Sequence, residues 1–234
     1  MRVLAIDSST SVAAIAIAEN DHLIYEIYLN HNKTHSQKLM PMVESALTNA
    51  ELTLQDIDVF GVAHGPGSFT GLRIGVAAIK AFCHATGKPA VAVNTLDALG
   101  FNIPYFSGIV CPIMDARREQ VYTATYIWQN GCLVRQSEYM ALHIQEYMKF
   151  LEQKQGPILF VGDGVPLYGV QFQKYLGDRV LLAPFTCRMQ QASSIAFLTL
   201  QDVQKGAVTD YNSLAPFYLR KPQAEREYEK RMEK

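Results

Sequence analysis

No two of the four cysteines, Cys83, Cys111, Cys132 and Cys187, form a C-x-x-C pair, and they are scattered along the chain. This spacing argues against a structural zinc and against a disulfide framework, and it implies a reducing compartment. Charge of one sign is also scarce. Lys and Arg number 21 against 22 Asp and Glu, a formal net charge of −1, and no basic run stands out before the C-terminus. A protein that holds nucleic acid alone needs a clustered positive surface, so an RNA-related role points to a partner. No apolar run reaches membrane-spanning length, and Asp7 falls where a signal peptide would need its apolar core. A soluble, cytoplasmic protein is expected. The chemical signatures of a P-loop, a dinucleotide fingerprint and a G-x-S-x-G elbow are missing as well.

What is present is a globular composition, 234 residues of which 49% are hydrophobic, enough for one or two compact cores. Residues 2–7, 11–19 and 22–30 read as short strands joined by Ser8-Ser9-Thr10 and Glu19-Asn20-Asp21, an antiparallel meander. A helix follows, with Thr34 and Gln37 at capping-box spacing, Leu39, Val43, Leu47 and Ala50 on one face, and a kink expected at Pro41. A buried strand at 57–63 leads through His64-Gly65-Pro66-Gly67-Ser68-Phe69-Thr70-Gly71 into a second helix, about 70–86, and then a strand at 90–93. In the second half, 109–116 and 120–128 are predicted strands joined by Arg117-Arg118-Glu119. Helices near 142–154 and 166–176 flank a strand at 158–161 that ends in Gly162-Asp163-Gly164. A strand at 179–183 and a helix at 190–203 follow, and the mixed-charge tail from Pro222 reads as a solvated helix or frayed end. The pattern is α/β, with no strong internal repeat.

The second helix is the most informative segment. Between Gly71 and Ala85 its only formal charges are Arg73 and Lys80, while Leu72, Ile74, Val76, Ile79, Phe82 and Cys83 surround most of its circumference. A helix apolar nearly all round must be covered on both sides. The stripes Gly71, Gly75, Ala78 and Ala77, Ala81, Ala85 would admit another helix closely. Two readings stay open: the chain covers this helix itself, or the helix is a subunit interface. The interface residues would be Leu39, Met40, Val43 and Leu47 of the first helix with Leu72, Gly75, Val76, Ile79 and Cys83 of the second.

Three turns could hold an anion or nucleotide. Asp7, Ser9 and Thr10 end the first strand, although Ser8 stands where glycine would let backbone approach a phosphate. Gly65, Gly67 and Ser68 precede a helix N-terminus, a favourable place for an anion. Gly162 and Gly164 follow a strand. Each turn is equally explained as structure. His31 and His35 are four apart, yet Thr34 reads as the cap between them and no carboxylate completes a ligand set, so no metal or other cofactor is expected. No nucleophile triad or acid–base pair is evident.

AIDSST (5–10), THSQKLMPMV (34–43), GVAHGPGSFTGLRIG (61–75), KPAVAVNTLDAL (88–99) and PFYLRKPQAERE (216–227) together resemble the TsaB family, also called YeaZ. The resemblance spans nearly the whole chain. It implies a two-lobe fold of the actin, sugar-kinase and Hsp70 type, with lobes expected at 1–103 and 104–234. It also implies a part in forming threonylcarbamoyladenosine on tRNAs that read ANN codons, through the related catalytic subunit TsaD and the small ATPase TsaE. The partner is engaged through the first two helices, or a second copy is engaged when TsaD is absent, and tRNA is met only through the complex. The TsaD metal motif has the form Val-Asn-His-x-x-x-His. Here Val93-Asn94 is followed by Thr95 and Leu99 at the two ligand positions, and neither replaces an imidazole. The resemblance therefore implies a non-catalytic subunit. The alternatives are a stand-alone ATPase or kinase built on the three turns, and a metal-dependent hydrolase using His31 and His35.

Overall fold

The computed structural model describes residues 1–30 and 35–220. Thr34, His31 and the tail from Pro222 lie outside that range. The chain forms β1 (Arg2–Asp7), β2 (Val12–Glu19), β3 (His22–Asn30), α1 (His35–Asn49), β4 (Val59–Gly65), α2 (Phe69–Thr86), β5 (Ala90–Asn94) and α3 (Thr95–Phe101). There follow β6 (Ile109–Asp115), β7 (Gln120–Thr123), β8 (Tyr126–Gln129), β9 (Cys132–Arg135), β10 (Met140–His143), α4 (Ile144–Glu152), β11 (Ile158–Val161), α5 (Val165–Leu176), β12 (Val180–Leu182), α6 (Phe185–Arg188) and α7 (Ala192–Gln204).

The strands make two sheets whose orders correspond. The first is β3-β2-β1-β4-β5 and the second β10-β7-β6-β11-β12, with the β8–β9 hairpin added beside β6. In each, a central strand pairs antiparallel with the next strand in the chain and parallel with the strand that follows the first long helix. The sequence reading found no repeat because this duplication lives in connectivity and not in residue identity.

Both faces of the first sheet are buried. Leu4, Ile6, Ile15 and Phe60 face α1 and α2, through Leu39, Val43, Val76 and Ile79. Val3, Ala5, Val12 and Ala14 face α7, through Ile195, Ala196 and Leu200. In the second sheet, Phe160 packs with Tyr147 of α4 and Phe172 of α5, and its other face meets Leu96 and Leu99 of α3. The expected division at 103/104 is therefore corrected: α7 comes from the second half of the sequence but packs on the first sheet, because the small side chains of β1 and β2 leave that face uncovered without it. Residues 209–218 also return to the first lobe. The N–H of Thr209 donates to Ala90 O (2.7 Å) at the β5 edge and that of Phe217 to His64 O (2.7 Å). Arg220 then crosses to Gln120 and the carbonyl of Ala116 in the second lobe.

The expected single strand 120–128 is two strands. The β6 register pairs Ile113 with Thr123 and Val110 with Tyr126, which sets Pro112 opposite Ala124. Proline has no N–H to give, so the ladder breaks there. The helix containing Pro41 is assigned without interruption from His35 to Asn49, with Pro41 on its exposed side.

Candidate functional site

The β1–β2 turn and the N-terminus of α2 are built as one unit. Asp7 is buried, and its Oδ1 accepts from the N–H (2.8 Å) and hydroxyl (2.6 Å) of Ser9. Its Oδ2 has no partner among the described residues. Burial outweighs the Ser9 bonds and raises its pKa to about 6, because an ionised carboxylate is costly away from water. Ser8 Oγ donates to Gly71 O (2.9 Å), and Ser68 N–H donates to Ser9 O (2.6 Å). Ser68 Oγ in turn caps α2 by accepting from Gly71 N–H (3.3 Å).

The glycines serve this contact. A Cβ on Gly71 would strike Ser8 O, one on Gly67 would strike Ser9 O, and one on Gly65 would strike Phe217 O. Each of these glycines is therefore needed for close packing against a backbone carbonyl. Thr10 Oγ1 donates to Gln190 Oε1 (2.9 Å), which ties the same turn to the approach of α7. In the second lobe, Gly162 and Gly164 pack against Ile113 O. Asp163 between them accepts from Asp115 N–H (3.2 Å), and burial raises its pKa to about 7. The three predicted turns are thus close-packed joints within their own lobes. His35 Nε2 lies 2.6 Å from Thr10 O, so this ring is held by backbone. Among the described residues, no three His, Cys, Asp or Glu side chains are grouped as a metal site.

The predicted interface requires a correction. Leu39, Val43, Leu72, Gly75, Val76, Ile79 and Cys83 are buried within this chain, and Leu47 is half-buried. Only Met40 is well exposed, at 48%. The chain supplies the missing cover itself. Its sheet and α1 take one side of α2, and residues 209–218 run along another. There Lys80 Nζ donates to the carbonyls of Asn212 (3.2 Å) and Leu214 (3.3 Å), Arg73 Nε donates to Tyr218 OH (3.0 Å), and Phe69 stacks on Tyr218 at 4.7 Å. Gly71 and Gly75 bring α2 onto Ser8 of the chain's own first turn, and not onto a foreign helix. Arg73, Ala77, Ala81, His84 and Ala85 remain exposed on this helix, with Ile74 and Ala78 half-buried.

Segment 93–99 forms the end of β5 and the first turns of α3. Asn94 Oδ1 caps α3 by accepting from Leu96 N–H (2.9 Å). Thr95 and Leu99 are both buried. Between them Asp97 projects into a cleft, where Tyr126 OH donates to its Oδ1 (2.6 Å) and Tyr139 OH to its Oδ2 (2.7 Å). The sequence reading missed this cluster, since its three members come from separate segments with no shared motif.

The duplicated strand order and the two helix-covered sheets define a two-lobe α/β protein. YeaZ from Pseudomonas aeruginosa shares this fold, with a TM-score of 0.77 at 23% identity over 93% of this chain and 99% of that one. The family model described as TsaD, tRNA N6-adenosine threonylcarbamoyltransferase, matches residues 26–228. The tRNA threonylcarbamoyladenosine biosynthesis protein TsaB of Bacillus subtilis (strain 168) is 34% identical over 225 residues, 96% of each chain. TsaB of Escherichia coli (strain K12) is 28% identical over 94% of this chain and 95% of its own length. The chain belongs to the TsaB family, within the wider TsaD group, and its role lies in threonylcarbamoyladenosine modification of tRNA. Among the described residues no helix is long and apolar enough to cross a membrane.

Proposed function

We propose that this chain is a non-catalytic, cytoplasmic subunit that acts by pairing with a TsaD-type catalytic subunit, joined in the full complex by a TsaE-type ATPase. The observation that carries this reading is the state of segment 93–99. Thr95 and Leu99 stand where the resemblance places the two metal-binding histidines of TsaD, and both are packed into the core. A hydroxyl and an isobutyl group at these points supply no ligand set for a metal. The ATPase reading is disfavoured because its turns are bonded to each other: the Ser68 N–H at the start of α2 donates to Ser9 O and Asp7 Oδ1 accepts from Ser9.

The surface offered to the partner is the outer face of α1 and α2, now reduced to Met40, Ala77 and Ala81 with half-buried Ile74 and Ala78. Small exposed side chains allow close helix approach, and a second copy of the chain can take this face when TsaD is absent. Substitutions at buried Val76 or Gly75 test only folding. The informative variants are Ala77→Arg and Ala81→Glu, measured by co-purification with the TsaD-type subunit and by tRNA modification in the reconstituted system. Loss of both with an unchanged unfolding midpoint supports the reading. Normal association of both variants sinks it, as does full modification in a mixture from which this chain is left out.

A further inference from the structure

A cleft of about 860 Å³ lies between α3, the β8–β9 hairpin and α7, within the size range of small-molecule sites, roughly 300–1,000 Å³. It is separate from the three close-packed turns: of the 64–71 segment only His64 faces it. Two aromatic groups form its walls. Phe101 stacks on Phe197 at 4.5 Å and meets Trp128 at 5.5 Å, and Trp128 is fixed by donating its indole N–H to Ile103 O (2.6 Å). Tyr139 contacts Phe217 edge-on at 5.9 Å. Asp97 presents a carboxylate into the space between these groups. Its two oxygens are each occupied once, by Tyr126 and Tyr139, and a carboxylate oxygen accepts more than one bond.

We propose that this cleft binds a guanine base. Flat aromatic walls favour a planar ligand held by stacking, and a base so held is read by hydrogen bonds along its Watson–Crick edge. Guanine places two donors, N1–H and N2–H, side by side on that edge, which matches the two oxygens of one carboxylate. Adenine and cytosine set a ring acceptor beside their amino group, and uracil sets its donor between two carbonyls, so each would point an oxygen or nitrogen lone pair at Asp97. Arg135, whose guanidinium lies 3.9 Å over the Tyr139 ring, lines the cleft and provides positive charge for an attached phosphate, while Lys205 is paired with Asp202 at 3.6 Å. The site is contained in the single chain and does not depend on the subunit reading.

Trp128 is the only tryptophan in the sequence, so its emission reports on the cleft alone. Titration of the full chain with GMP is expected to change that emission saturably, with an affinity at least about tenfold above that for AMP, or about 1.4 kcal/mol. Asp97→Asn replaces one acceptor by a donor and is expected to lower GMP affinity about tenfold or more. Because Asp97 also holds two tyrosines, a second variant guards against a folding defect. Tyr105 is 73% exposed with its ring 5.0 Å from Trp128, and Tyr105→Ala is expected to weaken GMP binding about threefold by calorimetry at an unchanged unfolding midpoint. The same titration with a uridine hexamer carrying one guanosine tells a free base from one within a strand; Asp97-dependent binding of either probe upholds the site. Absence of saturation by both probes up to about 5 mM, equal affinity for GMP and AMP, or GMP affinity unmoved by both variants would overturn the proposal.

Discussion

Each lobe ends its first strand on an aspartate, and the two lobes house that residue differently. Asp7 closes β1 beneath α2 with one oxygen bound by Ser9 and the other without a partner among the described residues. Asp115 closes β6 and accepts from Tyr168 OH (3.0 Å) and Arg117 N–H (2.9 Å), and it also pairs with the Arg117 guanidinium at 3.3 Å. The turn after Asp7 is closed by hydroxyls and pressed on by glycine-lined helix. The turn after Asp115 is made of Arg117, Arg118 and Glu119, all with positive φ (65°, 55° and 54°), and stands open to water. Duplicated topology thus places corresponding residues but does not assign their chemistry; the two or three residues that follow do that.

The largest test of this contrast is the tightness of the first turn. Gly71→Ala would drive a methyl group into the backbone carbonyl of Ser8, with no flexible side chain to yield. Overpacking of this kind costs about 3 kcal/mol or more where backbone must move. In the second lobe a Cβ on Gly164 would sit 2.9 Å from Ile113 O, a smaller intrusion costing about 1 kcal/mol. Urea unfolding of the two variants measures both. Equal losses would mean that α2 presses no harder on the first turn than Gly164 presses on β6.

Next in size is the burial of Asp7. Its folded pKa of about 6 lies above the ordinary value of 3.8, so between these limits the folded state holds the proton more firmly than the unfolded chain. Stability from this group is therefore full below about pH 4 and is lost as pH rises through 6, with a cost near 3 kcal/mol at neutral pH by the usual conversion of about 1.4 kcal/mol per unit. Asp7→Asn keeps an oxygen for Ser9 and removes the ionisation. It is expected to raise stability at pH 8 by about 1–3 kcal/mol and to flatten the profile between pH 4 and 6. Asp163, raised to about 7 by burial, predicts the same sign for Asp163→Asn over pH 4 to 7. A loss of stability at pH 8 in Asp7→Asn would show that its carboxylate is well solvated or paired after all.

Asp115 is half-buried with both carboxylate oxygens engaged, by Tyr168 and by Arg117. Asp115→Ala removes the acceptor for Tyr168 and for Arg117 N–H, a loss of about 1–2 kcal/mol in urea unfolding. A loss as large as that of Gly71→Ala would erase the distinction between the open and the closed turn.

Much of the first lobe was legible because its signals are local. The β1–β3 meander follows from alternating or continuous apolar runs parted by turns of four and two residues, and the α2 start from Ser68 before an apolar run. The second lobe was read less well. Asn130-Gly131, with φ of 51° and 76°, is a strong two-residue hairpin signal, yet β9 was not anticipated, and Pro112 marks the break between β7 and β8. The error over α2 has a different origin. Its apolar circumference was seen correctly, but the cover came from residues 209–218, more than a hundred positions downstream, which no local pattern announces. The Asp97 cluster was invisible for the same reason.

The smallest effect is expected at Arg118, and it tests the open turn most directly. Arg118 is exposed, and among the described residues its side chain makes no bond or ion pair, while its backbone sits at a φ of 55°. A residue with a Cβ is strained in that region by about 1 kcal/mol, and glycine is not, although glycine also gains freedom in the unfolded chain. Arg118→Gly should therefore leave stability unchanged or raise it by about 0.5 kcal/mol in urea unfolding. The contrast with Gly71→Ala is then complete in sign as well as size, since one turn loses by gaining a Cβ and the other loses nothing by giving one up. A clear destabilisation by Arg118→Gly would mean that the arginine side chain holds the second turn, and that this turn is not as open as its geometry implies.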